Sequence, residues 1–255
     1  MILAGGRGTR LRPYTTSFPK PLMPVGDRPI LEILVGQLAR AGFSQLIVAV
    51  GHLAGLIEAY FGDGSRFGVH ITYAREDEPL GTVGPLRALD DRLPEHFLVA
   101  NGDVLCDVDL TAFLNEHAHA APARDLSIAT VQRRVHSEYG VIECGADGIV
   151  CGYLEKPTFP LRVSTGIYAF SRTALELIPK GARMDFPDLV LKLLRHGCRV
   201  VTHDHSGLWL DIGRADDYEA AQQLIAEHPN RFATVITRSE SKVPSSQSPK
   251  REVTL

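Results

Sequence analysis

The sequence predicts an α/β fold in which a mixed, mainly parallel sheet is flanked by helices. Two observations support this prediction. Short runs rich in β-branched residues alternate with helical patterns through the first half of the chain, and after about residue 125 the pattern changes to strands and hairpins. Alternating strands and helices are typical of parallel sheets, whereas hairpins add antiparallel strands. We therefore expect one sheet that contains both kinds of pairing.

The first half of the chain supplies three clear strands and three helices. The first helix begins at Pro29 and ends at Gly42, and its apolar residues, among them Ile30, Leu34 and Leu38, fall on one stripe. Apolar, β-branched runs predict strands at 45–50, 69–74 and 96–101. Apolar periodicity predicts two further helices at 52–64 and 82–93.

The second half begins with strands and hairpins and ends with helices. A strand is predicted at 126–134, and a hairpin joins 139–144 to 149–157 through the turn at 145–148. Leucines in helical register predict a helix over 185–197. Two short strands at 199–205 and 208–213 and a last helix over 214–227 complete the prediction.

The composition is that of an ordinary globular chain. The 255 residues are 44% hydrophobic and 22% charged, and the formal net charge is -3. Lys and Arg are scattered, so no basic face suited to a nucleic-acid backbone is predicted. No apolar run approaches the roughly 20 residues of a membrane span, and the amino terminus lacks the pattern of a signal peptide. We expect a cytoplasmic protein that binds neither nucleic acid nor membrane.

The composition changes near the carboxyl terminus. The segment 231–255 is polar, rich in Ser and interrupted by Pro, which is typical of a disordered tail. The four cysteines are far apart and form no C-x-x-C pair, so neither a zinc site nor a disulfide framework is indicated. We expect one domain over residues 1–230, followed by the tail.

The stretch "LAGGRGTRLRPYTTSFPKPL" combines glycines with closely spaced cations near the start of the chain. Consecutive backbone N–H groups at Gly5-Gly6, without side chains in the way, can bind phosphate oxygens. A Walker loop would need Gly-Lys-Ser/Thr, and a dinucleotide fingerprint would need Gly where Leu11 stands. What remains is a glycine turn followed by Arg10 and Lys20, which could clamp a polyphosphate.

The run Gly5-Gly6-Arg7-Gly8-Thr9-Arg10-Leu11 followed by Pro19-Lys20-Pro21 resembles the signature of the sugar-1-phosphate nucleotidylyltransferases, or NDP-sugar pyrophosphorylases. Further blocks of that family follow in order: "EDEPLGTVGPL", "NGD", "EKP", "STGIY" and "WLDIG". The resemblance implies a Rossmann-like, GT-A-like fold with three α/β/α layers. It also implies the transfer of a nucleoside monophosphate from a nucleoside triphosphate to a sugar 1-phosphate, with release of pyrophosphate.

The resemblance further implies a role for particular residues. Arg10, Lys20, Asp103 and Asp211 correspond to the catalytic set, and the two aspartates correspond to ligands of Mg²⁺. The implied nucleotide-binding residues are Leu3, Ala4, Gly5, Gly6, Gly8, Thr9, Arg10, Lys20, Gly81 and Thr82. The implied sugar-phosphate-binding residues are Gly140, Glu155, Lys156, Thr165 and Gly166. Ser164-Thr165 stands where many relatives carry Asn-Ala, so the contacts to the sugar ring differ here.

Several alternatives stay open at this point. Asp107-Val108-Asp109 matches the D-x-D metal motif of glycosyltransferases, but Asp109 also suits the cap of a helix beginning at Leu110. A regulatory paralogue could keep the fold without turnover. The compact chain looks most like guanylyltransferases acting on mannose 1-phosphate, heptose 1-phosphate or a cyclitol phosphate, while thymidylyl, uridylyl and adenylyl relatives share the same frame. Dimers are common in the family, so a homodimer is possible.

Overall fold

The computed structural model describes residues 1–76, 78–228 and 231–232. Its thirteen strands, in chain order, are β1 (Ile2–Leu3), β2 (Pro24–Val25), β3 (Arg28–Pro29), β4 (Gln45–Val50), β5 (His70–Arg75), β6 (His96–Asn101), β7 (Val104–Cys106), β8 (Leu126–His136), β9 (Val141–Cys144), β10 (Val150–Leu154), β11 (Thr158–Ser171), β12 (Val200–Asp204) and β13 (Trp209–Asp211).

Six α-helices connect these strands, together with short 3₁₀ turns. They are α1 (Ile30–Arg40), α2 (Ala54–Phe61), α3 (Gly84–Ala88), α4 (Leu110–Ala118), α5 (Phe186–Arg195) and α6 (Ala215–Glu227). Within the residues that the structure describes, no helix has the length and hydropathy that crossing a membrane requires.

Seven strands form the central sheet in the order β12-β8-β11-β6-β1-β4-β5. The pairings β12–β8, β6–β1, β1–β4 and β4–β5 are parallel, whereas β11 runs antiparallel to both β8 and β6. The predicted mixed, mainly parallel sheet is therefore confirmed. The small sheets β9–β10, β7–β13 and β2–β3 are antiparallel pairs at its margins.

Both faces of the central sheet are covered. Leu98 and Ala100 of β6 belong to a buried cluster with α1, α2 and α4, whereas the alternate residues Phe97 and Val99 belong to a second cluster with α3 and α5. Because side chains of a strand alternate between its faces, this division requires helices on each side. The predicted three-layer α/β/α architecture is confirmed.

Two longer elements differ from the sequence prediction, and the short strands β2, β3 and β7 have no predicted counterpart. The helix expected over 82–93 breaks after Ala88, and only a 3₁₀ turn covers Asp90–Arg92. The 14-residue strand β11 was not predicted, because Pro160 and Gly166 interrupt its pattern. Its pairing with β8 is irregular between Ser164 and Tyr168, so the strand passes these residues by a bulge.

A third apolar cluster joins the first loop to the end of the described chain. Leu11, Leu105 and Ile212 are buried in it beside Phe232. Arg231 donates from Nη1 to Asp107 Oδ2 at 2.7 Å. These two residues of the predicted tail therefore contact the domain. The remainder of that tail, 233–255, lies outside the described residues, and its disorder stays a prediction.

Candidate active site

The loops that follow β1 and β6 meet at one edge of the sheet. These strands are adjacent and parallel, with Leu3 opposite Asn101. The N–H of Gly102 donates to Leu3 O at 2.9 Å, and a Cβ at Gly102 would lie 3.1 Å from that same oxygen. The glycine therefore allows the two loops to approach closely. Open α/β sheets bind their ligands at the carboxyl ends of such strands.

The glycine turn after β1 has one strained position and one open position. Gly8 has a φ of +58°, and its carbonyl accepts a hydrogen bond from Thr15 Oγ1 at 2.7 Å. A Cβ added at Gly8 would lie 3.0 Å from Thr15 Cγ2, whereas one added at Gly6 would meet nothing within 4 Å. Gly8 is thus required by the backbone conformation of the turn. Gly6 leaves open space beside the backbone, where a ligand could approach.

A cleft of about 390 Å³ opens in front of this turn. Its lining includes every residue that the resemblance implied for nucleotide binding, from Leu3 to Thr82, together with Asp103. It also includes residues that sequence reasoning did not single out: Pro21, Ala49, Glu76, Pro79, Asn101 and Asp185. The fold therefore brings the predicted nucleotide set together at one place, while the role of each residue stays a prediction.

Lys20 and Asp103 form an ion pair in the floor of this cleft. Lys20 lies in a short 3₁₀ turn between Pro19 and Pro21, and only 8% of the residue is exposed. Asp103 directly precedes β7. A buried ammonium is stable only when it is paired, so the carboxylate holds the cation in the floor of the cleft.

Asp211 lies beside this pair because β13 is paired with β7. Asp211 is opposite Val104, and the N–H of Ile212 donates to Asp103 O at 3.3 Å. Burial, and next the charge of Asp103, raise the pKa of Asp211, whereas Lys20 and Arg10 act in the opposite direction. Two carboxylates and the two cations of the first loop are thus electrostatically coupled.

Arg10 completes this group from the glycine turn. Its guanidinium passes close to Gly213, where an added Cβ would lie 3.3 Å from Arg10 Nη1. Gly213 directly follows Asp211 and Ile212 in the chain, so the same backbone that carries the second carboxylate also supports Arg10. A side chain at position 213 would press on this cation.

The two aspartates suit a magnesium ion. The described part of the chain holds no group of three or more His, Cys, Asp or Glu side chains arranged for a metal. Mg²⁺, however, is commonly held by one or two carboxylates together with water and substrate phosphate. Burial, and next the charge of Asp103, raise the pKa of Asp211, and a divalent cation held by both carboxylates would relieve their repulsion. The donor set therefore fits Mg²⁺.

The D-x-D motif has structural partners instead. Asp107 accepts from His205 Nε2 at 2.8 Å and from Leu208 N at 2.6 Å, in addition to Arg231. Asp109 accepts from Ala112 N at 2.9 Å and caps α4, as the capping interpretation predicts. Because both carboxylates are committed to the fold, the motif gives no support to a glycosyltransferase metal site.

A loop that follows β5 also lines the cleft, with Glu76, Pro79, Gly81 and Thr82. Glu76 accepts from Leu80 N at 3.0 Å through Oε2, and its Oε1 lies 3.2 Å from where a Cβ of Gly5 would stand. Partial burial raises the pKa of Glu76. Gly81 has a φ of +78°, and a Cβ there would lie 2.5 Å from Met184 O.

This loop is fastened to the start of α5. The N–H of Thr82 donates to Asp185 Oδ1 at 3.0 Å, and Phe186 N donates to Thr82 Oγ1 at 2.7 Å. Sequence reasoning missed Glu76 and Asp185. The available signal for Glu76 was its position shortly after a predicted strand, where a carboxylate faces the ligand edge of the sheet.

None of the five predicted sugar-phosphate residues lines the cleft, and three of them, Gly140, Glu155 and Lys156, lie near the outer β9–β10 sheet. Tyr153 OH donates to Glu155 Oε2 at 3.0 Å, and the Tyr153 hydroxyl fills the space where a Cβ of Gly140 would stand. Lys156 is exposed and has a φ of +43°. Gly140 and Glu155 thus adjoin each other beside Tyr153, and the role of all three predicted residues toward a sugar stays a prediction.

Thr165 and Gly166 lie in the bulge of β11. The Thr165 hydroxyl is buried, donates to Ala129 O at 2.9 Å and accepts from Ile167 N at 3.2 Å, while Thr165 O accepts from Trp209 Nε1 at 2.8 Å. Gly166 has a φ of +84°, and a Cβ there would lie 2.7 Å from Asn101 Nδ2. Thr165 is thus engaged within the fold, and Gly166 adjoins the edge of the cleft.

Comparisons with known proteins agree with this geometry. Residues 1–228 match the model of the family described as nucleotidyl transferase. The chain is 36% identical over 235 residues to a UTP–glucose-1-phosphate uridylyltransferase of Synechocystis sp., covering 86% of this chain and 61% of that protein. It is 33% identical over 223 residues to a mannose-1-phosphate guanylyltransferase of Mycobacterium tuberculosis, covering 86% and 62%.

A solved structure gives the same result for the fold. HddC from Yersinia pseudotuberculosis superposes with a TM-score of 0.69 at 26% identity, covering 88% of this chain and 97% of HddC. The chain spans about three fifths of the length of the curated relatives it matches. From the family match, the intact signature and the clustered site, we conclude that the chain belongs to the nucleotidyl transferase family.

Proposed function

We propose that this protein transfers a nucleoside monophosphate from a nucleoside triphosphate to a sugar 1-phosphate and releases pyrophosphate. The observation that carries the proposal is the buried Lys20–Asp103 ion pair, which lies in the floor of the cleft in front of the glycine turn. Arg10 and Asp211 adjoin it. A site of this kind has cations for a polyphosphate and carboxylates for the metal ion that accompanies one.

The chemistry needs positioning more than proton transfer. A phosphate oxygen of the sugar 1-phosphate attacks the α-phosphorus in line, a new P–O bond forms there, and the bond to the pyrophosphate oxygen breaks. The attacking phosphate is already ionised near pH 7, so no general base is required. The backbone N–H groups of the glycine turn bind phosphate oxygens, and Arg10 and Lys20 stabilise the charge on the leaving pyrophosphate.

Asp103 and Asp211 would hold Mg²⁺. When bound, the ion supplies charge neutralisation at the α-phosphate. In this proposal the Lys20 ammonium contacts both the Asp103 carboxylate and the triphosphate. Its positive charge reduces the electrostatic repulsion between that carboxylate and the substrate. Coupling of these charges is supported by the effects of Asp103, Lys20 and Arg10 on the pKa of Asp211, which burial raises further.

We further propose that the nucleotide is GTP. Guanine presents two adjacent donors, N1–H and N2–H, to a carboxylate, whereas uracil and thymine present a single N–H between two carbonyl oxygens that a carboxylate repels. Glu76 lines the cleft and has lone pairs left beyond the one that accepts from Leu80 N. An ionised Glu76 therefore favours guanine. Mannose 1-phosphate, heptose 1-phosphate or a cyclitol phosphate is the proposed second substrate.

Pyrophosphate release by the purified protein with Mg²⁺ tests the proposal. GTP, UTP, dTTP, CTP and ATP are each paired with mannose, glucose, glucosamine and heptose 1-phosphates. Release with GTP and one sugar 1-phosphate is expected, and Asp103→Asn serves as the inactive control. Binding of GTP without release from any pair would favour a regulatory paralogue.

The homodimer stays a prediction, which analytical ultracentrifugation of the same protein would test.

A further inference from the structure

One exposed arginine, Arg133 of β8, lies over the ring of Trp209. Its guanidinium carbon is 5.5 Å from the ring centroid, which is within the range of a cation–π contact. No carboxylate of the described residues forms an ion pair with it. An unpaired guanidinium held against an aromatic ring is oriented for an anion that comes from outside the protein.

Trp209 connects this arginine to the catalytic floor. Trp209 and Asp211 are two residues apart on β13, so their side chains lie on the same face of the strand. Their partners on β7 confirm the face, because Cys106 and Val104 belong to the same buried cluster and Trp209 packs against it. The surface that carries the predicted metal ligand therefore continues to the indole and to Arg133.

The bulge of β11 lies next to this surface. Trp209 donates its indole N–H to Thr165 O at 2.8 Å, which fixes the ring beside the bulge. Gly166, the following residue, faces Asn101 and Val104. The irregular pairing between Ser164 and Tyr168 thus lies between β8, which carries Arg133, and β6, whose last residue Asn101 lines the cleft.

Charge supports an anion at this position. In the metal-free protein Arg10 and Lys20 are matched by Asp103 and Asp211, so these four side chains by themselves offer no net positive charge to a second phosphate. A sugar 1-phosphate brings up to two negative charges next to a triphosphate. Arg133 is a cation adjoining that floor, and a guanidinium binds two phosphate oxygens at once.

We propose that Arg133 binds the phosphate group of the sugar 1-phosphate; this inference rests on the proposed function. The Trp209 ring orients the guanidinium of Arg133 through the cation–π contact. Two N–H donors of that guanidinium then face the phosphate. In this arrangement Arg133 holds the attacking phosphate near the surface that carries Asp211, and it offsets the repulsion between the two substrates.

The test compares two neighbouring arginines of one strand. Arg134 is also exposed and forms no ion pair with a described carboxylate, but its side chain points to the opposite face of β8. Arg133→Met removes the charge and keeps an apolar stem over Trp209, and Arg134→Met makes the same change on the other face. KM is measured for the sugar 1-phosphate and for the nucleotide, and binding of the sugar 1-phosphate is measured by calorimetry.

We expect Arg133→Met to raise KM for the sugar 1-phosphate by about tenfold or more, which is the loss of one charge-assisted contact. KM for the nucleotide should stay unchanged, and Arg134→Met should behave as wild type. Equal values for Arg133→Met and wild type would overturn the inference while leaving the proposed function intact. If wild type neither binds nor consumes a sugar 1-phosphate, the proposed function fails, and this inference fails with it.

Discussion

The ammonium of Lys20 is paired with the carboxylate of Asp103, 83 residues later in the chain. The pair joins the loop after β1 to the loop after β6, and both partners line the candidate site. Substitutions at this pair therefore test the site and the fold together.

Lys20→Ala should lower kcat by about 100- to 1,000-fold, because a cation that stabilises the leaving pyrophosphate is lost. KM for the sugar 1-phosphate should change little, since Lys20 does not face that substrate in the proposed arrangement. Steady-state kinetics check this. Arg12→Ala, at an exposed position of the same loop, is the control. An unchanged kcat in Lys20→Ala would contradict the proposed role of Lys20 in stabilising the pyrophosphate.

Gly6 and Gly8 should respond differently to alanine. Gly8→Ala should destabilise the protein by about 1 kcal/mol, because Gly8 has a φ of +58° and the methyl group meets Thr15. Gly6→Ala should keep the melting temperature and weaken nucleotide binding, since its methyl group enters the open space of the cleft. Thermal unfolding and nucleotide titration separate the two effects.

Gly55→Ala is the control for this comparison, because Gly55 lies in α2 and an added Cβ meets nothing within 4 Å. If Gly6→Ala bound nucleotide as tightly as Gly55→Ala does, the turn would not be the phosphate site.

Glu76→Gln should reduce the preference for GTP. The amide can donate to a carbonyl oxygen of uracil or thymine, and it offers guanine only one acceptor in place of two. We expect kcat/KM for GTP to fall by about tenfold or more and that for UTP or dTTP to rise. Glu78→Gln, in the same loop, should leave the order of the nucleotides unchanged. An unaltered ratio in Glu76→Gln would remove the argument for guanine.

Asp211→Asn should inactivate the enzyme and stabilise the metal-free protein. The pKa of Asp211 is raised by burial and by Asp103, so the folded protein binds its proton more tightly than the unfolded chain does. Stability therefore falls as the pH rises from the ordinary pKa of Asp through the raised one, and the ionised group costs stability at pH 7.

Thermal unfolding without metal should show Asp211→Asn melting a few degrees above wild type at pH 7, with the difference vanishing in acid. Asp216→Asn, in the first turn of α6, is the control. A lower melting temperature for Asp211→Asn at pH 7 would contradict the charge coupling between Asp211 and Asp103.

His117 should make the fold sensitive to acid. Its ring nitrogens are engaged by Ser127 at 2.9 Å and Ser171 at 3.1 Å, and burial lowers its pKa to about 4. The unfolded chain takes up this proton near pH 6.5, so the folded state loses stability as the pH falls from about 6.5 to 4, by up to about 3 kcal/mol.

Urea unfolding between pH 7 and pH 4 measures this loss. His117→Gln should lower the stability at pH 7 and flatten its dependence on pH, whereas His119→Gln, at the exposed end of the same helix, should retain the wild-type slope. Parallel pH profiles for wild type and His117→Gln would show that another group is responsible.

The glycine turn could be predicted from the sequence because its residues are contiguous. Gly5 to Arg10 and Lys20 lie in one segment, and their spacing alone indicates an anion site. Asp103 and Asp211 required the resemblance, since only the pairing of β7 with β13 brings them together. The helix at 82–93 was predicted too long, since it ends at Ala88. The strand β11 was not predicted, because Pro160 and Gly166 interrupt its local pattern.

Other residues of the site carry only a weak local signal. Glu76 is a single carboxylate after a strand, and it becomes informative only because β5 ends at the edge where β1 and β6 also end. From the sequence alone, the side chain of Thr165 could face either a ligand or the protein interior. In the structure the bulge of β11 turns this side chain to the interior, where it donates to Ala129 O. Arg133 is one of two adjacent arginines, and only strand pairing shows which of them lies over Trp209.

The hydrogen bonds that fasten Thr82 to Asp185 and Phe186 have a kinetic consequence. The loop that we propose to face the base is held at its far end by a helix of the core, so it is preorganised before any nucleotide arrives. A preorganised wall loses little conformational entropy on binding and needs no slow closure. Competing nucleotides should therefore associate at similar rates, and discrimination between them should reside in how long each one stays bound.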